Sequence, residues 1–270
     1  MTPASSSEPG FMGRRILVTG AASGIGAAVA RQLLAQGAAV AATDSDEVGL
    51  AALRRSAAAD AGADGRLWTA PLDVRDPERV ERVVAEAEAA LGPLDGLACV
   101  AGVLEMGDVV DLSDAQWAHC FAVNATGVFH VCRAVARGMR MRGAGAIVNV
   151  SSNAAGTPRA GMSAYAASKA AVTQFSRCLA LELAPHGIRV NIVSPGSTDT
   201  AMQRAMWALG SSREAVIQGD PARWRLGIPL GKIATPEEIA ESVLFLLSAR
   251  ASHITLHDLR VDGGATLDQG

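Results

Sequence analysis

Aromatic side chains make up only 4% of this sequence, and cysteine occurs four times. Few aromatics, with Ala, Gly and Val abundant, favour closely packed helices on a sheet over a loop-rich secreted fold. The spacings of Cys99, Cys120, Cys132 and Cys178 form neither a C-x-x-C pair nor a compact disulfide framework. All four are therefore expected as buried thiols in a reducing compartment, the cytoplasm. Neither sign of charge is in large excess, 24 basic residues against 27 acidic ones leaving a formal net charge of -3. Such a balance gives no general attraction to a phosphate backbone and argues against nucleic-acid binding, while leaving room for a local basic spot. No run approaches the roughly 18 uninterrupted apolar residues of a membrane span. The first dozen residues lack the basic start and apolar stretch of a signal peptide, and their Ser, Pro and Gly content predicts a loose tail over 1–12.

Apolar residues make up 49% of 270, enough for one sizeable core. There is no internal repeat and no linker, so 13–270 reads as a single domain. Short β-rich runs at 15–19, 38–43, 67–72, 94–100, 146–150, 189–193 and 256–261 alternate with helical spacings. The helices are expected at 25–36, 47–61, 77–91, two stretches within 113–142, 164–184 and 236–247. Gly37 suits the end of the first helix and Pro77 the first turn of the third. Apolar strands alternating with amphipathic helices predict an α/β fold with a parallel sheet covered on both faces. Residues 199–228 break the rhythm, with Met202, Met206, Trp207 and Trp224 and no clear strand. They read as a flap over a site, an inert insertion being the alternative.

The turn Thr19-Gly20-Ala21-Ala22-Ser23-Gly24-Ile25-Gly26 joins the first strand to the first helix. Gly20, Gly24 and Gly26 permit a tight turn and close approach to a pyrophosphate, while Ser23, Ile25 and their neighbours offer free N–H groups at a helix start. Asp44 ends the second strand. A carboxylate there accepts bonds from both adenosine ribose hydroxyls and repels a 2′-phosphate. No Lys or Arg lies between Arg31 and Arg54 to attract one, so NAD is expected as cofactor over NADP. A solvated turn aspartate is the alternative. Asp73 and Val74, after the third strand, sit where an adenine ring is held.

Tyr165 and Lys169 are four apart at the start of a long helix and share a face. A free phenol titrates near pH 10; a nearby ammonium and a cationic nicotinamide favour its anion and make it a usable base. Ser152, at the end of the fifth strand, is placed to bind the substrate oxygen. Asn124 is placed to kink its helix and hold a water that relays protons to Lys169. A lone Y-x-x-x-K pair is usually a surface helix pair; it is the ordered set that points to chemistry. His253 and His257 lack a third ligand, so no metal site is expected. Trp68 and Trp117 read as packing residues.

Together these residues resemble the short-chain dehydrogenase/reductase family, from about residue 13 to 267, its glycine turn having the same G-x-x-x-G-x-G spacing. The resemblance implies one Rossmann-type doubly wound domain, a seven-stranded parallel sheet flanked by helices, here with a small helical substrate flap. It also implies a homotetramer, with Ser152, Tyr165, Lys169 and Asn124 as the catalytic set. Pro195, Gly196, Thr198 and Thr200 match the stretch beside the nicotinamide amide. Ala101 and Gly102 keep the small half of a family motif whose asparagines are replaced by Cys99 and Val100, removing bonds that brace the central strand. Stretches at 157–165, 193–204 and 226–233 resemble a branch that oxidises the C3 hydroxyl of a dihydro aromatic acid, a small cyclic hydroxy acid. Arg159 is the candidate partner of its carboxylate, an exposed loop arginine being the alternative; Met202, Gln203 and Met206 are candidate flap contacts. Asn153 and Gly156 replace an aspartate and a histidine of the family pattern, which keeps open a substrate with an amine at C2 in place of the hydroxyl. The pathways implied are siderophore or antibiotic assembly. A sensor that binds NAD without turnover, and a general sterol or sugar-alcohol dehydrogenase, are the rival readings.

Overall fold

A computed structural model describes residues 10–59, 65–208 and 212–267. The chain alternates strands and helices from β1 (Arg15–Thr19) and α1 (Gly24–Ala35) through β2 (Ala39–Asp44), α2 (Glu47–Ala58), β3 (Leu67–Pro71), α3 (Pro77–Leu91) and β4 (Gly96–Cys99). There follow α4 (Asp114–Phe121), α5 (Val128–Arg142), β5 (Gly145–Val150), α6 (Ser163–Leu183) and β6 (Ile188–Pro195). Next come α7 (Ala201–Ala208), α8 (Arg213–Gln218), β7 (Gly219–Asp220) and β8 (Arg225–Leu226), and last α9 (Pro236–Leu247) and β9 (Asp258–Val261). Seven strands form one parallel sheet in the order β3-β2-β1-β4-β5-β6-β9, while β7 and β8 pair antiparallel on their own. The expected α/β class and seven-stranded sheet are both present.

Period-2 alternation divides the core in two. Ile16, Val18, Ala98 and Val148 face the side covered by α1, α2 and α9. Leu17, Leu97 and Ile147 face the side covered by α3, α5 and α6. Fully buried strands of this kind need no polar face, which is why the runs are nearly all apolar.

Helix starts follow local chemistry. Asp46 accepts from Val48 and Gly49 N–H at the head of α2, and Asp76 caps α3 ahead of Pro77. Ser113 with Gln116, and Thr235 with Glu238, form capping boxes on α4 and α9. Between α4 and α5, residues Ala122–Gly127 run as a π-turn, so the two stretches expected in 113–142 are one helix interrupted at Asn124.

Four expectations need correction. Phe11, placed in the tail, is 3% exposed in the core, and Met12 packs at Gly37, so the described part of that tail belongs to the domain; residues 1–9 lie outside the described set. Cys178 is exposed, on the outer side of α6, while the other three thiols are buried. Trp117 is also exposed and stacks on Phe121, a helix-surface pair one turn apart. The flap is not purely helical: β7 and β8 close its far end, and Trp224 between them has φ +50°. A small cluster of Val216, Ile228, Ile233 and Ala265, with Trp207 and Ile217 against it, anchors the flap. Among the described residues no helix is long and apolar enough to cross a membrane.

Candidate active site

The sheet order reverses between β1 and β4, and ligands of such sheets bind in the crevice at the carboxyl ends of these strands. A cavity of about 410 Å³ lies there. It is continuous from the β1–α1 turn to the flap, so the glycine turn, the phenol of Tyr165 and the guanidinium of Arg159 line one space. All the residues expected around the cofactor, the reacting group and the substrate line this cavity except Asn124, which lies behind it.

The turn is built for close approach. Gly20 has φ +70°, and a Cβ on it would meet the Ala101 nitrogen at 2.6 Å; a Cβ on Gly26 would meet the Gly20 carbonyl oxygen at 2.0 Å. Ser23 precedes α1 yet makes no side-chain cap bond, so the first N–H groups of α1 keep their donors at the cavity. Asp44 is held by Ala22 N–H to Oδ2 (3.0 Å) and Asp46 N–H to Oδ1 (3.0 Å), its remaining lone pairs available to a ribose. An uncapped helix start, a glycine cradle and a fixed carboxylate fit a dinucleotide. Asp73 and Val74 line the same end, but both oxygens of Asp73 accept from Arg75, at 2.9 and 3.0 Å from Nε and 2.6 Å from Nη2. Arg75 holds the Asp73 carboxyl below its usual value. Local sequence does not reveal that Arg75 lines the same cavity as Asp44, because the β2–β3 pairing brings the two strand ends together.

In place of the missing asparagines, Thr19 Oγ1 accepts from Val100 N–H (3.2 Å) and Ala101 N–H (3.3 Å), which fixes the loop after β4. Cys99 and Cys132 lie sulfur to sulfur at 4.0 Å behind it.

Tyr165 is the chain's single tyrosine. Desolvation raises its pKa, and a hydrogen bond with Ser152 pulls it back in part. Ser152 Oγ also accepts from Ala154 N–H at 3.1 Å, which aims the hydroxyl. Lys169 is 3% exposed; its Nζ lies 5.9 Å from the Tyr165 ring centre and donates to the Val150 carbonyl at 2.9 Å. Burial brings its pKa down to about 8 from 10.5, with Cys99 and Cys120 opposing the fall. Ser151 Oγ, unremarked in the sequence, donates to the Lys169 carbonyl (3.1 Å) and so ties α6 to the end of β5. Asn124 is wholly buried. Its Oδ1 accepts from Val103 N–H (2.8 Å), and its Nδ2 donates to the Val103 carbonyl and Ser168 Oγ, both at 2.9 Å. Its side chain therefore joins the loop after β4 to α6. Gly102 lies between, with Asn124 Oδ1 and Lys169 Nζ each 3.3 Å from the place of a Cβ.

At the other end of the cavity, Met202, Gln203 and Met206 on α7 face Arg159 on the loop after β5. Gln203 is 8% exposed, and its Nε2 has no hydrogen-bond partner among the described residues. Arg225 on β8 also lines this end, as a second cation that sequence spacing does not reveal.

The family described as enoyl-(acyl carrier protein) reductase matches residues 20–266. The chain is 50% identical to the 2,3-dihydro-2,3-dihydroxybenzoate dehydrogenase of Bacillus subtilis (strain 168), over 96% of this chain and 98% of that one. It is 45% identical to the protein of the same name from Escherichia coli (strain K12), over 95% and 98%. The crystal structure of a short-chain type dehydrogenase/reductase from Mycobacterium marinum superposes with a TM-score of 0.86 at 32% identity, covering 97% of this chain and 98% of that one. A parallel sheet with its crevice at the strand reversal, and relatives matching end to end, establish that this chain is an oxidoreductase belonging to the short-chain dehydrogenase/reductase family.

Proposed function

We propose that this chain oxidises the C3 hydroxyl of 2,3-dihydro-2,3-dihydroxybenzoate with NAD⁺, giving 2,3-dihydroxybenzoate for siderophore assembly. The observation that carries the reading is a single cavity holding Tyr165, Lys169 and Ser152 between the glycine turn and Arg159, in a chain half identical to a relative of that name. NAD⁺, when bound, accepts the hydride from C3. The protein's residues manage the proton and the pose. Ser152 Oγ hydrogen-bonds the C3 oxygen, and Tyr165 takes its proton. Lys169, behind the phenol, stabilises electrostatically the phenolate that accepts this proton, and the transfer returns Tyr165 to the neutral phenol. Asn124 acts as a positioning residue that keeps α6 in register with the loop after β4. Arg159 holds the carboxylate, and Met202, Gln203 and Met206 close over the ring. Loss of hydride and proton leaves a cyclohexadienone, which tautomerises to the aromatic diol, and aromatisation drives the reaction one way.

NAD is favoured over NADP by Asp44, whose charge opposes a 2′-phosphate. A reducing, cytoplasmic setting fits the unpaired thiols among the described residues. Assembly with copies of itself, as a homotetramer in this reading, has a candidate contact surface in the exposed apolar side chains of Trp117, Phe129 and Leu181 on α4, α5 and α6.

Steady-state NADH formation tests the reading with two acids, one bearing a hydroxyl at C2 and one an amine. The expected outcome is a higher kcat/KM with the diol. Preference for the amine would move the chain to the 3-hydroxyanthranilate-forming reaction of antibiotic pathways. NADH binding with no turnover of either would make it a sensor.

A further inference from the structure

Arg225 is a charged group at the substrate end of the cavity that the reading above leaves without a task. It stands on β8, in the small antiparallel pair that closes the flap, and is half-buried. Its Nη2 donates to Ser197 Oγ at 3.1 Å, which turns the guanidinium from the flap towards the Pro195–Thr200 stretch and into the cavity. Across from it, Arg159 is also half-buried, and its guanidinium has no hydrogen-bonded carboxylate among the described residues. Asp262 is the nearest acid to influence Arg159, but its oxygens accept from Asn153 Nδ2 (3.2 Å), Thr266 Oγ1 (2.5 Å) and Gly264 N–H (3.0 Å). Burial and the Arg225 charge both depress the Arg159 pKa, so the two cations share one poorly solvated space. Like charges brought together with no anion between them cost stability, and a bound anion recovers it. Gln203 Nε2 is an independent sign of the same missing acceptor: a buried N–H₂ at this end of the cavity with no partner among the described residues.

Resting on the substrate reading above, we infer that Arg225 is a substrate-binding residue, forming with Arg159 a two-cation site in which the substrate carboxylate is held between flap and core. Each guanidinium offers one edge to one carboxylate oxygen, and Gln203 Nε2 takes a remaining lone pair. The carboxylate then links β8 to the loop after β5, so an acidic substrate draws the flap onto the site and a neutral one of the same shape does not. Selectivity for the acid thereby comes from two elements far apart in sequence.

Calorimetric titration of the NADH-loaded enzyme with 2,3-dihydroxybenzoate and with 2,3-dihydroxybenzamide tests this. The wild-type protein is expected to prefer the acid by at least ~10-fold, since a charge-assisted bond is lost with the amide. In Arg225→Gln that ratio is expected to fall by roughly 10-fold, and in Arg225→Lys by less. Because the ratio is read within one protein, a general loss of folded fraction cancels. An unchanged ratio in Arg225→Gln overturns the two-cation site while leaving the substrate reading intact. A wild-type enzyme with no preference for the acid overturns both.

Discussion

Lys169 is an ammonium only 3% exposed in the wall of the cavity, and its energetics can be read from pH. Its pKa falls from 10.5 in the unfolded chain to about 8 in the fold, burial being the cause. Between those values the unfolded chain binds more protons than the folded one, so stability rises with pH across that window. The fall corresponds to ~3 kcal/mol of destabilisation, fully present below pH 8 and relieved as pH approaches 10.5. Lys169→Met removes the penalty along with the bond to the Val150 carbonyl. Urea denaturation from neutral pH to about pH 10 should therefore show wild type gaining on the variant by a few kcal/mol, ~3 at most. A difference that stays flat with pH would mean the lysine is solvated in the fold. Tyr165 shifts the opposite way, its raised pKa removing stability only above about pH 10, beyond the range compared. The motif spacing made this pair legible in the sequence, because residues four apart share a helix face. The depth of Lys169 was not legible, since it depends on Val150 at the end of β5 and Gly102 in the loop after β4 closing over it.

The elements divide by where their limits are decided. Helices with their own stop and start signals were readable: α3 and α9 run Pro77–Leu91 and Pro236–Leu247 as expected, each beginning with proline behind a capping side chain. Strand ends were less so. The sequence suggests a strand over 94–100, but β4 covers Gly96–Cys99, because pairing with Ile16–Thr19 sets its length. A kink at Asn124 was expected; its form as a π-turn depends on bonds to Val103 and Ser168, contacts invisible to any local pattern. Asn124→Ala leaves the buried Ser168 hydroxyl and the half-buried Val103 N–H and carbonyl without this partner, at a cost of about 1–3 kcal/mol. Ser168 Oγ in turn donates to the Tyr165 carbonyl at 2.7 Å, so loosening it reaches the reacting residue. Thermal unfolding should shift down, and kcat measured well below the new midpoint should fall more than NADH affinity. A variant that melts lower with kcat intact would leave Asn124 a folding residue without influence on α6.

At the scale of the molecule, the cavity is made where the ends of β1, β2, β4, β5 and β6 meet the flap. Its cofactor half was legible because each part stands just beyond the end of a readable strand, and its substrate half only in outline because Arg225 and Arg159 come together through tertiary packing. Ligand that binds across such a cavity stabilises the whole fold by mass action, about 2.7 kcal/mol at a hundredfold excess over Kd. For a domain of this size that is a rise in Tm of roughly 5–10 °C. The dinucleotide end decides which cofactor produces it. Asp44, pinned by Ala22 and Asp46 N–H, presents a fixed negative charge. The cation that lines the same end, Arg75, is already engaged by both oxygens of Asp73, so recruiting it to a 2′-phosphate breaks an existing ion pair. NADH should raise the melting temperature at concentrations where NADPH does not, and Asp44→Ala should narrow the gap by admitting the phosphate. If NADPH stabilised the wild-type protein as well as NADH, the Asp73–Arg75 pair would have to open for it. The selectivity attributed to Asp44 would then be absent.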